Sequence, residues 1–367
     1  MQKCLVFVMV LFIVSGLKAQ EKKQNVFLHP AKFYEKYFPH FKIKYKPSDS
    51  NYINVYSKEF ATVATHVFSP TVYINMEPRG FLQASSQFRT NIKTITGFSF
   101  SYKHITAGFA LSLLPPVGDP PDYAPTKYRT ATIKYKSPIY ILTFRFMKVQ
   151  GMTDINELNS LDQIQSNVRR TDLTIKEYMF EGIYNFSWKK YSYLSMLDHT
   201  EAQIKSRLGF MTKAGIYSQK FYGDSNLLSV SQRPYFENYN DISKVVGYNL
   251  KLSPGLGGIL VFKEHFYGAI SIFSPLSLFV NRLYSTDDKV VHKETNLLWG
   301  ADGSASLGYQ SKRFFAALNF QLDGRTAILN NVRYSSAYNY IGLDIGFRFA
   351  APKPIKKFYK DTMPPGM

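Results

Sequence analysis

Residues 339–349 read Asn-Tyr-Ile-Gly-Leu-Asp-Ile-Gly-Phe-Arg-Phe. Ile341, Leu343, Ile345, Phe347 and Phe349 share one face of an extended strand. Tyr340, Gly342, Asp344, Gly346 and Arg348 share the other, because side chains alternate with a period of two. An apolar face backed by small and charged residues suits a wall between lipid and water. The same alternation recurs upstream. Phe98, Phe100 and Tyr102 oppose Ser99 and Ser101. Tyr140, Leu142, Phe144 and Phe146 oppose Thr143 and Arg145. Tyr178, Phe180, Tyr184 and Phe186 oppose Glu181 and Asn185. Val246, Tyr248, Leu250, Leu252 and Leu256 oppose Gly247, Asn249, Lys251, Ser253 and Gly255. Phe314, Ala316, Leu318, Phe320 and Leu322 oppose Asn319 and Gln321.

The connections alternate in length. Short ones lie at Lys103-His104, Lys136-Ser137-Pro138, Trp188-Lys189-Lys190, Lys263-Glu264-His265 and Gln310-Ser311-Lys312. Long polar ones lie at 115–127, 150–171, 220–243, 281–295 and 323–338. Short turns on one side and long loops on the other are the rhythm of an outer-membrane barrel, the short side being periplasmic. The expected fold is an all-β, antiparallel transmembrane β-barrel of about 12 strands (range about 10–14), the first within 59–76.

The N-terminus agrees with export. Lys3, an apolar run from Leu5 to Val14, and Ser15, Gly16, Leu17 and Ala19 lay out a signal peptide over 1–19, cleaved after Ala19. Cys4 lies inside it, so no disulfide or thiolate chemistry is expected in the mature chain. No later stretch reaches roughly 18 consecutive apolar residues, the length of a helical span. Yet 45% of the chain is hydrophobic and 16% aromatic, content that a barrel spreads over alternating strands. A soluble β-sandwich fits less well, because disulfides and sandwich spacing are both missing. The expected domains are a lead-in at 20–58, the barrel at 59–349 and a flexible tail at 350–367, lead-in and tail both periplasmic. The net charge of +19 points to anionic envelope surfaces such as lipopolysaccharide rather than nucleic acid. Gly342, Ile345 and Phe347 resemble a signal to the outer-membrane assembly machinery, although the chain continues to Met367.

One segment breaks the rhythm. Residues 191–206 hold a short strand-like piece and then polar residues, including Asp198, His199, Glu201, Gln203 and Lys205. A full membrane strand here would put the next long loop on the wrong side. We expect a periplasmic fold-back that enters the lumen. Aromatics near the tight turns (Trp188, Tyr191, Phe266, Tyr267, Tyr309 and Phe314) fit a girdle at the membrane boundary or ordinary strand ends.

The stretch Tyr184-Asn185-Phe186-Ser187-Trp188-Lys189-Lys190-Tyr191-Ser192-Tyr193 is followed by Thr200-Glu201-Ala202-Gln203-Ile204-Lys205-Ser206, Gly209 and Gly215. Gly308-Tyr309-Gln310-Ser311-Lys312-Arg313-Phe314-Phe315 and Gly346-Phe347-Arg348-Phe349 come later. Over roughly residues 45–350 this resembles a Bacteroidota family known only as a domain of unknown function. Leu194 and Leu208 stand where that pattern has Arg and Gly. The resemblance implies an exported envelope barrel and supplies no activity.

Candidate chemistry is sparse. His199, with Asp198 and Glu201 beside it and Ser192, Ser195 or Ser206 nearby, is the arrangement closest to an acyl hydrolase. No Gly-x-Ser-x-Gly or His-Glu-x-x-His spacing supports it. His66, His104, His265 and His292 are scattered, and neither a metal nor a cofactor is expected. Gly255, Gly257 and Gly258 let a strand bend or relieve crowding inside the barrel rather than bind phosphate, since no helix follows. The lumen-facing candidates are Arg145, Glu181, Lys213, Lys251, Asp344 and Arg348. They support two readings, a closed interior with paired charges or a narrow anion-favouring channel. The expected role is non-enzymatic, in envelope organisation or restricted small-molecule passage, with a lipid-acting barrel enzyme as a further alternative.

Overall fold

The computed structural model describes residues 47–78, 84–112, 123–158, 166–230, 232–329 and 332–362. The signal segment, most of the lead-in and most of the Pro115–Pro125 stretch lie outside the described residues. The strands are β1 Ile53–Val55, β2 Phe60–Pro78, β3 Ala84–Arg89, β4 Ile95–Tyr102, β5 Ile105–Leu111, β6 Lys127–Lys136, β7 Tyr140–Leu158, β8 Ser166–Asn185 and β9 Glu201–Gln203. They continue with β10 Arg207–Tyr222, β11 Ile242–Phe262, β12 Phe266–Phe273, β13 Leu276–Ser285, β14 Val290–Trp299, β15 Asp302–Gln310, β16 Phe314–Leu329 and β17 Val332–Ala350. Helix α1 is Leu194–Leu197 and α2 is Lys353–Thr362.

All ladders are antiparallel, and β10 pairs both β8 and β11, which closes the sheet into a ring. Phe273 faces Gly255 and Leu276 faces Leu252, so β13 continues β12 along β11 in one register. Phe273 also faces Asp302 while Leu276 faces Trp299, so β14 and β15 are likewise one wall strand. The interruption falls at Pro275, which has no N–H for the ladder. The ring therefore has twelve wall positions: β2, β4, β5, β6, β7, β8, β10, β11, β12–β13, β14–β15, β16 and β17. Strand β3 bridges β2 and β7 beyond the ends of the shorter β4 to β6.

The alternation of the sequence becomes the two sides of the wall. Ile341, Leu343, Ile345 and Phe347 are exposed outward, as are Leu250, Leu252, Leu256, Leu318 and Phe320. Their opposite faces turn into the barrel, where Arg348 and Lys251 are buried. An apolar outer belt over a polar interior is what lipid on one side and protein on the other select. Aromatic rings ring the tight-turn end. Phe262, Phe266, Tyr309, Phe314 and Phe347 form a chain with successive centroids 5.2–6.3 Å apart. Tyr191 and Tyr267, grouped with this girdle in the sequence, are instead buried inside, Tyr267 because it falls on an inward position of β12 and Tyr191 because its segment folds into the barrel.

Three of the long polar connections are mostly strand. Strands β7 and β8 run to Leu158 and from Ser166, β13 and β14 leave only 286–289 as a turn, and β16 and β17 run to Leu329 and from Val332. Beyond the lipid belt the outward face no longer needs apolar residues, so the alternation fades while the backbone ladder continues. Helix α2 lies within the tail expected to be flexible. Pro354 in its first turn is compatible with a helix start, where a missing N–H costs no internal bond.

Two apolar clusters fill the barrel ends. At the long-hairpin end, Ile74, Met76, Phe88, Met152, Phe221 and Leu283 surround Leu227, Leu228 and Phe236, which the 223–241 connection folds inward. At the tight-turn end, Tyr191, Tyr193, Leu194 and Met196 pack on Ile141, Ile183, Met211, Ile259, Phe273 and Ala317.

Candidate functional site

The second cluster is the apolar part of a plug built from residues 191–206. After the turn at Ser187–Lys190 the chain enters α1. It then crosses His199, whose φ is +57°, and forms β9. Strand β9 pairs with β1 (Ile53 opposite Gln203, Val55 opposite Glu201), so the lead-in is tied to the plug. Tyr191 enters a slot over Gly209 and Gly257, which face each other across β10 and β11. A Cβ on Gly209 would stand 2.2 Å from the Tyr191 ring, and one on Gly257 would stand 2.0 Å from Tyr191 Oη. Only glycine leaves room there.

Polar groups lock the plug to the wall. Lys136 Nζ donates to Asp198 Oδ2 at 2.7 Å, and both side chains are almost fully buried. Thr106 Oγ1 donates to the same oxygen at 3.2 Å, and Thr200 Oγ1 donates to Oδ1 at 2.7 Å. Arg348 donates through Nε to the His199 carbonyl at 3.2 Å and through Nη1 to the Ser311 carbonyl. Gln310 Nε2 donates to the carbonyls of His199 at 3.2 Å and Glu201 at 2.6 Å. The left-handed turn at His199 thus directs its carbonyl at two wall donors. Gln203 accepts from Ser192 N–H at 2.9 Å and donates to the carbonyls of Lys190 and Lys205. Lys205 is exposed, its ammonium 5.3 Å from the centre of the Tyr52 ring.

Burial tends to raise the Asp198 carboxyl, but the Lys136 and Lys134 ammonium groups outweigh it and hold it well below the usual carboxylate range. Burial pushes the Glu201 carboxyl up to about 7, against the opposing hydrogen bond from Ser192. Ser192 Oγ donates to Glu201 Oε2 at 2.5 Å.

Inside the barrel, cations meet acids. Arg145 Nη2 lies 2.9 Å from Glu177 Oε1. Lys213 Nζ lies 3.0 Å from Asp302 Oδ2 and 3.8 Å from Glu181 Oε2. Lys251 bridges Asp302 and Asp323. Tyr217 Oη donates to Glu181 at 2.5 Å. Between plug and outer cluster a cavity of about 300 Å³ is lined by Arg145, Glu181, Lys213, Asp302 and Asp344, among others.

The hydrolase candidates of the sequence are not assembled around His199. Its Nδ1 lies 3.2 Å from the Ser195 carbonyl rather than from a serine hydroxyl. A different serine and histidine do meet. His66 Nε2 is 2.7 Å from Ser99 Oγ, and His66 Nδ1 is 2.7 Å from Asp344 Oδ1. Asp344 Oδ2 is 3.6 Å from His199 Nε2. In the sequence His66 stands among scattered histidines. The available signal was facing parity, since His66, Ser99 and Asp344 occupy inward positions of neighbouring strands. Among the described residues no group of three His, Cys, Asp or Glu side chains is arranged to hold a metal.

No curated protein matches the chain. Solved structures similar to it include three outer-membrane β-barrels. The Escherichia coli outer-membrane protease OmpT has 8% identity and a TM-score of 0.36, over 79% of this chain and 97% of that one. The β domain of the Bordetella autotransporter BrkA has 10% identity and a TM-score of 0.35, over 79% and 99%. The translocator domain of the Neisseria meningitidis autotransporter NalP has 11% identity and a TM-score of 0.39, over 87% and 93%. A family model matches residues 47–349, which take in β1, the plug and the whole barrel wall, and the chain belongs to that family, described as Domain of unknown function (DUF4421).

Proposed function

We propose that the protein is an outer-membrane barrel whose lumen is closed to passage from end to end and that it serves the organisation of the cell envelope. The tight-turn end faces the periplasm and both termini lie there, after export and cleavage behind Ala19. The observation that carries this reading is the plug of 191–206, fixed to the wall by the buried Lys136–Asp198 pair and by Arg348 and Gln310. A loosely docked segment would not be built around a buried ion pair, because charges removed from water need such close partners. The pairing of Arg145, Lys213 and Lys251 with carboxylates favours the closed interior over the anion-favouring channel. Lipid and lipopolysaccharide are the surroundings that the apolar belt and basic charge suit.

The test is conductance in planar bilayers. Purified protein that shifts its gel mobility on boiling should pass little or no current, and deletion of 198–205 should raise it. A large steady conductance in the unmodified barrel would refute the closed reading.

A further inference from the structure

We propose that Ser99, His66 and Asp344 form an acyl-transfer site inside the barrel, acting on a small carboxylic ester. This departs from the expectation of a non-enzymatic barrel. The three groups lie side by side on the inner faces of β4, β2 and β17. Asp344 faces His66 in the ladder, His66 faces Gly97, and Ser99 is two residues further along the same face. Hydrogen-bonded wall strands are a rigid base for such a constellation.

The geometry assigns the roles. With its proton on Nδ1, His66 donates to Asp344 and accepts from the Ser99 hydroxyl through Nε2, both at 2.7 Å. A nucleophile, a base and a group that orients the base are thereby in hydrogen-bond reach of one another. Asp344 alone could be held by a histidine. The serine on the far side of that histidine, facing open volume, adds nothing to such a pin.

Space and donors accompany the three groups. Ser99, His66 and Asp344 all line the cavity of about 300 Å³, which lies at the small end of ligand pockets. Gly108, the ladder partner of Ser99, and Gly97 carry no side chain that could cover the hydroxyl. Thr132 and Lys134 line the same cavity and add side-chain donors to its wall. Wall N–H groups are committed to the ladders. The cavity volume restricts the ester to a short acyl chain.

In the first half-reaction Ser99 Oγ bonds to the ester carbonyl carbon and its proton passes to His66 Nε2. The ester C–O bond breaks, and the alcohol leaves with that proton. Water then gives a proton to Nε2 as its oxygen attacks the acyl-Ser99. The carboxylic acid departs and Ser99 regains its proton. Asp344 stabilises the imidazolium in each half.

The test uses the full mature barrel in detergent micelles, with heat-modifiability as the check on folding. An alkyl fluorophosphonate should give one adduct, mapped by mass spectrometry to Ser99. The protein should hydrolyse 4-nitrophenyl acetate. Ser99→Ala should abolish both signals while the barrel stays heat-modifiable. Asp344→Asn should reduce kcat by roughly 10²- to 10⁴-fold, since it leaves His66 without the partner that fixes its tautomer. Absence of an adduct on folded wild-type protein overturns the proposal, as does hydrolysis that survives Ser99→Ala. A Ser99→Cys variant locates the failure. Alkylation of its introduced thiol by iodoacetamide, without a fluorophosphonate adduct on Ser99 of the wild type, means an accessible but unactivated serine. No reaction in either protein means a chamber closed to substrate, and the proposal falls in both cases.

Discussion

Lys136 and Asp198 form a 2.7 Å ion pair in which both side chains are almost fully buried, one on the barrel wall and one on the plug. Removing one partner strands the other charge out of water, which typically costs about 3–5 kcal/mol, while replacing both by apolar residues is often neutral. Asp198→Ala should therefore release the plug and raise bilayer conductance. The double variant Lys136→Met with Asp198→Leu should restore closure. Equal conductance in the single and double variants would mean that the pair does not hold the plug.

Glu201 gives the plug a pH dependence of defined sign. Its carboxyl titrates at about 7 when folded, above the ordinary value of 4.5. Between those two values the folded state holds the proton that the unfolded state has lost, so stability falls as pH rises through this window. Asp198 has the opposite shift, and its contribution is present at neutral pH and lost only on strong acidification. Amide exchange in 191–206 should quicken from pH 5 to pH 8 beyond its intrinsic base-catalysed rise. Glu201→Gln, which remains neutral, should flatten that excess. An unchanged profile in the variant would assign the effect elsewhere.

How far the sequence revealed this architecture depends on which physical demand each residue meets. Leu343, Phe320 and Leu250 answer to lipid, so they alternate with polar neighbours and can be read directly. On their outward face the outer parts of β7, β8, β13 and β14 answer to the backbone ladder rather than to lipid, although Met152 and Leu283 pack inward, and the alternation that lipid imposes fades there. The 191–206 segment was legible as an interruption, because a polar run at Asp198–Ser206 has no place on a lipid face. Its partners were not. Lys136, Gln310 and Arg348 come from three distant strands, and only the closed register brings them to one end. The meeting of His66, Ser99 and Asp344 was hidden in the same way, since it depends on β17 closing against β2.

The two sides of the wall differ in what they accept. Leu343 is exposed outward in the apolar belt, whereas Asn319 lines the interior cavity. Leu343→Arg places a charge against lipid, at roughly 2–4 kcal/mol near the midplane. It should lower the yield of heat-modifiable protein in the outer membrane. Asn319→Arg stays among polar groups and should insert normally. Equal yields for the two variants would contradict the assignment of faces.

The slot for Tyr191 permits a test that separates packing from polarity. A methyl group on Gly257 would stand 2.0 Å from Tyr191 Oη and 2.9 Å from Met211 Cε, the flexible end of its side chain. Tyr191 Oη is buried and makes no hydrogen bond among the described residues. Its loss therefore sacrifices no bond and removes a buried polar group that would otherwise cost about 1–3 kcal/mol. Tyr191→Phe alone should leave the plug as stable as before, or more so. Gly257→Ala alone should expel the ring and destabilise the plug by about 1–3 kcal/mol, the usual cost of overpacking. Combined, the two should cost less than Gly257→Ala alone, because the nearest colliding atom has gone. Proteolytic nicking within 191–206, compared across the four proteins of this cycle, measures the coupling. Additive effects would mean that Gly257 and Tyr191 do not touch, and that the plug sits elsewhere in the mouth.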